Sequence, residues 1–143
     1  MNNIDIWSFQ TTLTRRLMVW AAASIVIALP LFFLGEFWRG FGIQSAAWGG
    51  IDLLIAIFGM LGTNRRKSRL TPDELSDSAP KESANLKRIL LINTALDVLY
   101  VTGGVILILT LGAEDPFWSG NGWGIIIQGA FLFVFDLYHA KQL

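Results

Sequence analysis

The chain has no cysteine among its 143 residues. That excludes disulfides, thiolate zinc sites, iron–sulfur clusters and Cys nucleophiles. It has one histidine, His139. A lone His could ligate haem only across a dimer, and no haem attachment motif is present. Charge is scarce as well: Asp, Glu, Lys and Arg make up 15% of the residues, where a soluble domain carries about 25%. The chain is therefore short of water-facing side chains. Walker, Rossmann and HExxH motifs are absent. Ser24 and Ser45 have no His at their depth, which removes a Ser/His/Asp hydrolase. On these grounds the chain is read as a non-enzyme with no cofactor and no metal site. No Asn-x-Ser/Thr sequon occurs, so glycosylation gives no hint of compartment.

What the chain does have is apolar length. Hydrophobic residues are 53% of the total and the mean hydropathy is +0.52. Four segments are long enough to cross a bilayer, which takes about 20 helical residues. They run over about 17–35, 42–62, 89–112 and 123–139. "TRRLMVW" ahead of the first has a loose twin-arginine look, but the apolar run is too long for a cleaved signal, so a retained span is expected. Helices and not strands are expected, because isolated strands cannot satisfy their backbone in lipid.

The formal net charge of zero hides an asymmetry. The stretch 63–88 holds Arg65, Arg66, Lys67, Arg69, Lys81, Lys87 and Arg88, Arg15 and Arg16 precede the first span, and Lys141 follows the last. The opposite loops hold only Arg39, with Glu36, Glu114 and Asp115. The positive-inside rule then places both termini and a cytoplasmic loop 63–88 on the inner side. Topology accounts for the basic stretch, so no nucleic-acid partner is expected. Within it, "TPDE" offers Thr71 as N-cap, Pro72 at N1 and Glu74 at N3, the start of a short surface helix. A second helix is expected to begin near Pro80 and run into span three. The segment "NNIDIWSFQTTLTRR" sets Ile6, Trp7, Phe9 and Leu13 among polar residues, as an interfacial helix on the membrane surface would. Trp7, Trp20, Trp38, Trp118 and Trp123 fall near span ends, where an aromatic belt forms. Pro30 is expected to kink span one.

The two halves of the chain resemble one another. Arg15-Arg16 opens span one and Lys87-Arg88 opens span three; Leu34-Gly35 and Leu111-Gly112 close them. Glycine-rich approaches follow, and each leads to a Gln and an Asp eight apart, Gln44/Asp52 and Gln128/Asp136. The pattern implies one helical hairpin used twice, in parallel orientation. Ser45-x-x-x-Gly49, Ala46-x-x-x-Gly50 and Gly103-Gly104 are small-residue patterns suited to close helix approach.

Polar groups inside the spans carry the functional expectation. Gln44, Trp48 and Asp52 share one helical stripe in span two, Asn93, Asp97 and Tyr100 one in span three, and Gln128 and Asp136 one in span four. Asp52 lies roughly 16 Å from the outer end of its span and Asp97 roughly 13 Å in from Arg88. A central Asp costs about 2.5 to 3.5 kcal/mol on insertion scales. Helix-to-helix hydrogen bonds return only ~0.6 kcal/mol on average, so structural glue alone is poor recompense. The acids are therefore expected to be protonated, hydrogen-bonded or facing a wet cleft, and to bind a cation, proton or small polar ligand. Gln44, Asn93, Tyr100 and Gln128 would orient them. Asp136 lies nearer the inner side, where it can instead be solvated by headgroups.

"GIQSAAWGGIDLLIAIFG", "NTALDVLYVTGG" and "IIIQGAFLFVFDLYHA" together resemble an uncharacterised family of small four-span bacterial membrane proteins. The resemblance covers spans two to four and implies a bacterial origin and the same three Asp-bearing stretches; a bacterial inner-membrane location is expected. The resemblance supplies no activity. In size the chain is similar to small multidrug carriers and fluoride channels, but it lacks the lone Glu in span one of the former and the phenylalanine-rich polar track of the latter.

The expected fold is an all-α, four-helix transmembrane bundle of two similar hairpins, N-in and C-in, forming a single integral membrane domain. The expected function is ligand binding or transport at the intramembrane Asp residues, as a homo-oligomer in the lipid bilayer. The alternative is an accessory or scaffold subunit of a larger membrane complex.

Overall fold

Helix starts and stops are written in local chemistry. In the computed structural model, which describes residues 5–143, Asp5 caps α1 (Ile6–Leu31) by accepting from the Trp7 N–H at 3.1 Å. Gly35, at φ 113°, turns the chain into α2 (Glu36–Arg69), a left-handed backbone that a side chain resists. Thr71 caps α3 (Pro72–Leu109) in a full capping box: its Oγ1 accepts from Glu74 N at 3.3 Å, and its own N–H donates to Glu74 Oε2 at 2.8 Å. A short 3-10 turn (Leu111–Ala113) leads to α4 (Pro116–Ala140), capped by Asp115, with Pro116 in the first turn where its missing N–H costs nothing.

The all-α expectation holds, and all four helices are long and apolar enough to cross a membrane. The chain thus has the make-up of a multi-pass membrane protein. Large apolar side chains lie outward, Val26, Phe33, Phe58, Leu99 and Val134 among them, each more than 60% exposed. In water that surface would be strongly unfavourable; against acyl chains it is neutral.

Four expectations are corrected. The stretch 63–88 is not a loop. It is a helical hairpin in which α2 continues to Arg69 and α3 begins at Pro72. At roughly 51 and 57 Å these helices overshoot a hydrocarbon layer of about 30 Å and project beyond it. Pro80 does not start a second helix but lies inside α3. The N-terminal segment, from Ile6 onward, is not a separate interfacial helix either, but the first turns of α1; its residues 2–4 lie outside the described part. Trp7 is buried there, and its indole N–H donates to Leu75 O at 3.3 Å on the projecting hairpin. Pro30 does not kink a span, since α1 ends one residue later.

Packing is by antiparallel pairs, α1 on α2 and α3 on α4, with α2 lying parallel against α4. Small residues set these contacts. A side chain on Gly120 would strike the Phe37 carbonyl of α2, and one on Gly40 the Phe117 carbonyl of α4, so the two backbones touch reciprocally. Gly104 and Gly122 do the same for α3 and α4, a Cβ on either lying 2.8 Å from the other's oxygen. Gly49 faces α1 and Ser45 is buried, whereas Gly50 and Gly103 meet open space. Since α3 leans on α4, and α2 on α1 and α4, a seam remains between α2 and α3.

Every Lys and Arg except Arg39 falls at one end of the bundle, where α1 and α3 begin and α2 and α4 finish. Arg39 is paired with Glu36 at 2.6 Å at the other end.

Candidate functional site

Asp52 of α2, Asp97 of α3 and Asp136 of α4 each sit on the inward stripe of their helix. Packing of both α2 and α3 against α4 brings them to one level across the seam. All three line one cleft in the seam, of about 160 Å³. They are 2%, 3% and 6% exposed. Asp136 is therefore not solvated at a headgroup layer, as its position near the end of span four allowed. Leu17, Ile51, Ile55, Leu96 and Leu132 make the remaining wall apolar, and no Lys or Arg lines the cleft. Oδ2 of Asp52 and of Asp97 are buried with no hydrogen-bond partner. A buried polar atom left in this way costs free energy unless something else meets it.

Asn93 joins this cleft beside Asp136. Trp48 and Tyr100 close its end away from the basic pole, edge to face with ring centroids 4.8 Å apart. Among the described residues the Tyr100 hydroxyl makes no hydrogen bond to an Asp; its ring is the part in use. No group of three His, Asp or Glu side chains among the described residues is arranged to hold a metal ion.

Gln44 and Gln128, on the same stripes, are not brought to the acids. Gln44 Nε2 donates to Asn121 Oδ1 at 2.8 Å, and Asn121 donates in turn to Phe117 O at 2.9 Å. This ties α2 to α4. Gln128 Oε1 accepts from Trp20 Nε1 at 3.0 Å, and its Nε2 donates to Ser24 Oγ at 3.2 Å, tying α4 to α1. Trp20 also stacks on Phe131, so Trp7 and Trp20 belong to the interior rather than to a belt; Trp38, Trp118 and Trp123 remain outward. Asn121, Ser24 and Trp20 are polar partners that the stripes alone did not reveal. The one available signal was Asn121, set among glycines just ahead of span four.

His139 is fully engaged. Nδ1 is 2.7 Å from the Phe135 carbonyl and Nε2 is 3.1 Å from Arg16 Nη1. A carbonyl only accepts and a guanidinium only donates, so the Nδ1–H tautomer satisfies both. Neither nitrogen is left for a haem.

Toward the basic pole the same seam widens into a cavity of about 550 Å³, bounded by α1, α2 and α3. An ion pair between Arg66 and Glu82 bridges its mouth, and Gln10 joins Thr63 at 3.0 Å and Glu82 at 3.5 Å. Roughly 21 Å of helical rise separates Asp52 from Arg66. Acid cleft and basic mouth are stacked along one seam.

The molecule is thus a bundle of four membrane-length helices with a buried three-acid cleft at its α2–α3 seam. A family model matches residues 16–137, most of the chain and all three acids, so the chain belongs to a family of unknown function (DUF6992). The uncharacterised family expected from the quoted stretches is in this sense found. No curated protein and no solved structure matches the chain.

Proposed function

We propose that the chain is a multi-pass protein of the bacterial inner membrane that binds and moves a proton or small cation at Asp52, Asp97 and Asp136. Both termini and the 63–88 hairpin lie on the cytoplasmic side in this reading, since the basic pole is the side retained inside. One observation carries it: two carboxylate oxygens, of Asp52 and Asp97, are buried without partners in a cleft shared with a third acid. Three carboxyls in a low-dielectric cleft cannot all be charged without cations to accompany them. The protein supplies no Lys or Arg there, so a proton or a mobile cation completes the site. The role is binding and transport, not catalysis, and four helices make so thin a wall that a homo-oligomer is the natural working form.

The test is flux into liposomes loaded with a pH-sensitive or cation-sensitive dye. Wild type is expected to pass protons or a monovalent cation, and Asp52→Asn and Asp97→Asn each to reduce flux at least about tenfold, the loss of about 1.4 kcal/mol of coupling. Unchanged flux in both variants removes the reading.

The projecting 63–88 hairpin favours a second reading, an accessory subunit that docks to a larger membrane complex. A stoichiometric partner lost on removing that hairpin would support it, and flux by the isolated protein counts against it.

A further inference from the structure

The cavity at the basic pole has a divided lining. Leu13, Ile89 and Ile92 make its floor apolar, and Gly59 adds no side chain. Gln10, Arg66, Glu82, Asn85 and Arg88 make its rim polar. The division falls where the apolar runs stop, after Gly62 in α2 and before Ile89 in α3. One cavity therefore straddles the hydrocarbon and the headgroup layer. It opens sideways, because α2 and α3 do not close on one another, and Ile89 and Ile92 are 54% and 50% exposed.

The rim charges are unbalanced. Glu82 is taken by Arg66, while Arg88 has no ion-pair partner among the described residues. An occupant must bring a negative charge to Arg88 and an apolar body to the floor. A free phosphate meets the first need and leaves the floor bare. A phospholipid meets both, and the bilayer supplies it at the right depth.

We propose that this cavity holds one anionic phospholipid, its phosphate at Arg88 and one acyl chain over Gly59, Ile89 and Ile92. The chain end then points along the seam toward the acid cleft and seals its lateral side. The proposal does not rest on what the acid cleft binds.

The full chain in detergent micelles is titrated with fluorescent phosphatidylglycerol and, separately, with fluorescent phosphatidylcholine. Wild type is expected to prefer phosphatidylglycerol. Arg88→Gln should weaken that binding about five-fold, the effect of one basic residue near an anionic headgroup. Glu82→Gln should strengthen it, because Arg66 is released to the phosphate. Arg69→Gln, at the far end of α2 outside the cavity, should change nothing. Ile92→Trp, which fills the floor, should weaken both lipids alike while helicity is kept. Equal losses in Arg88→Gln and Arg69→Gln would mean diffuse surface attraction and overturn the site. Displacement of the lipid by soluble glycerophosphate would overturn the lipid as occupant in favour of free phosphate.

Discussion

Trp48 of α2 and Tyr100 of α3 meet edge to face across the seam, 4.8 Å between ring centroids, directly beyond the three acids. At the other end of the same seam Arg66 and Glu82 form an ion pair. The two closures differ in kind. An aromatic contact inside hydrocarbon excludes water, whereas an ion pair half exposed at a polar mouth gives way readily. Access to the acids is therefore expected from the basic pole. The chain has no cysteine, so a single introduced thiol reports access cleanly. Asn93→Cys should react with a charged thiol reagent mainly from the basic side. Adding Trp48→Ala should raise its reaction from the opposite side about tenfold. Equal reaction from both sides in the Asn93→Cys background would contradict the one-sided path.

Gln44 and Gln128 offer a separation of stability from ligand binding. Their amides cross-link α2 to α4 and α4 to α1, away from the cleft. Gln128→Leu strands the Trp20 indole N–H and leaves Ser24 without its donor. The expected cost is about 0.6 to 1.7 kcal/mol, the range for such bonds between membrane helices. Gln44→Leu should cost a similar amount. Denaturation in mixed micelles measures both. Proton or cation flux, corrected for folded protein, should be unchanged in either variant and lost in Asp97→Asn.

The glycines divide by what a methyl group would meet. At Gly120 it would strike the backbone of Phe37, which cannot move without shifting α2. Gly120→Ala is expected to destabilise by about 1 to 3 kcal/mol, as overpacking does. At Gly103 nothing lies within 4 Å. Gly103→Ala should be neutral or stabilising, by up to about 1 kcal/mol, from the better helix propensity of alanine. The same micelle unfolding assay decides, and only Gly120→Ala should lower stability.

Legibility in the sequence followed the physics of each signal. Hydropathy found all four helices because apolar length is required of a span. It missed that α2 reaches Arg69 and that α3 starts at Pro72, because charged residues outside the hydrocarbon read as loop to a hydropathy window. The capping box at Thr71 was readable, since capping is a local matter. For the site, helical periodicity placed Asp52, Asp97 and Asp136 on inward faces, and they do converge. Periodicity gives a face and not a partner. Gln44 shares a stripe with Asp52 but stands roughly 12 Å further along it, at the level of Asn121. Which residue of another helix lies at a given level depends on helix ends and offsets, and those ends were the misjudged part. Trp7 and Trp20 failed as belt residues for the same reason: their indole partners, Leu75 O and Gln128, come from distant sequence.

The turn between α2 and α3 makes the projecting hairpin sensitive to acid. Glu74 accepts from the Thr71 backbone N–H and, within the same box, from its hydroxyl. Both bonds favour the carboxylate, so they hold Glu74 below the usual carboxylate value of 4.5, the backbone bond first. A group depressed in the folded state contributes stability that is present above its unfolded pKa. That contribution is lost as pH falls through the lower, folded value. The cap should therefore survive mild acid and fail only below the ordinary glutamate range. Side-chain carboxyl chemical shifts across a pH titration should place the Glu74 midpoint under 4.5. Thr71→Ala removes the hydroxyl and weakens the box, so the midpoint should move up toward the free value. Amide exchange at Glu74, compared at one pH where Glu74 is ionised, should speed up in that variant. A midpoint already at the free value in wild type would show that the box does not form in solution.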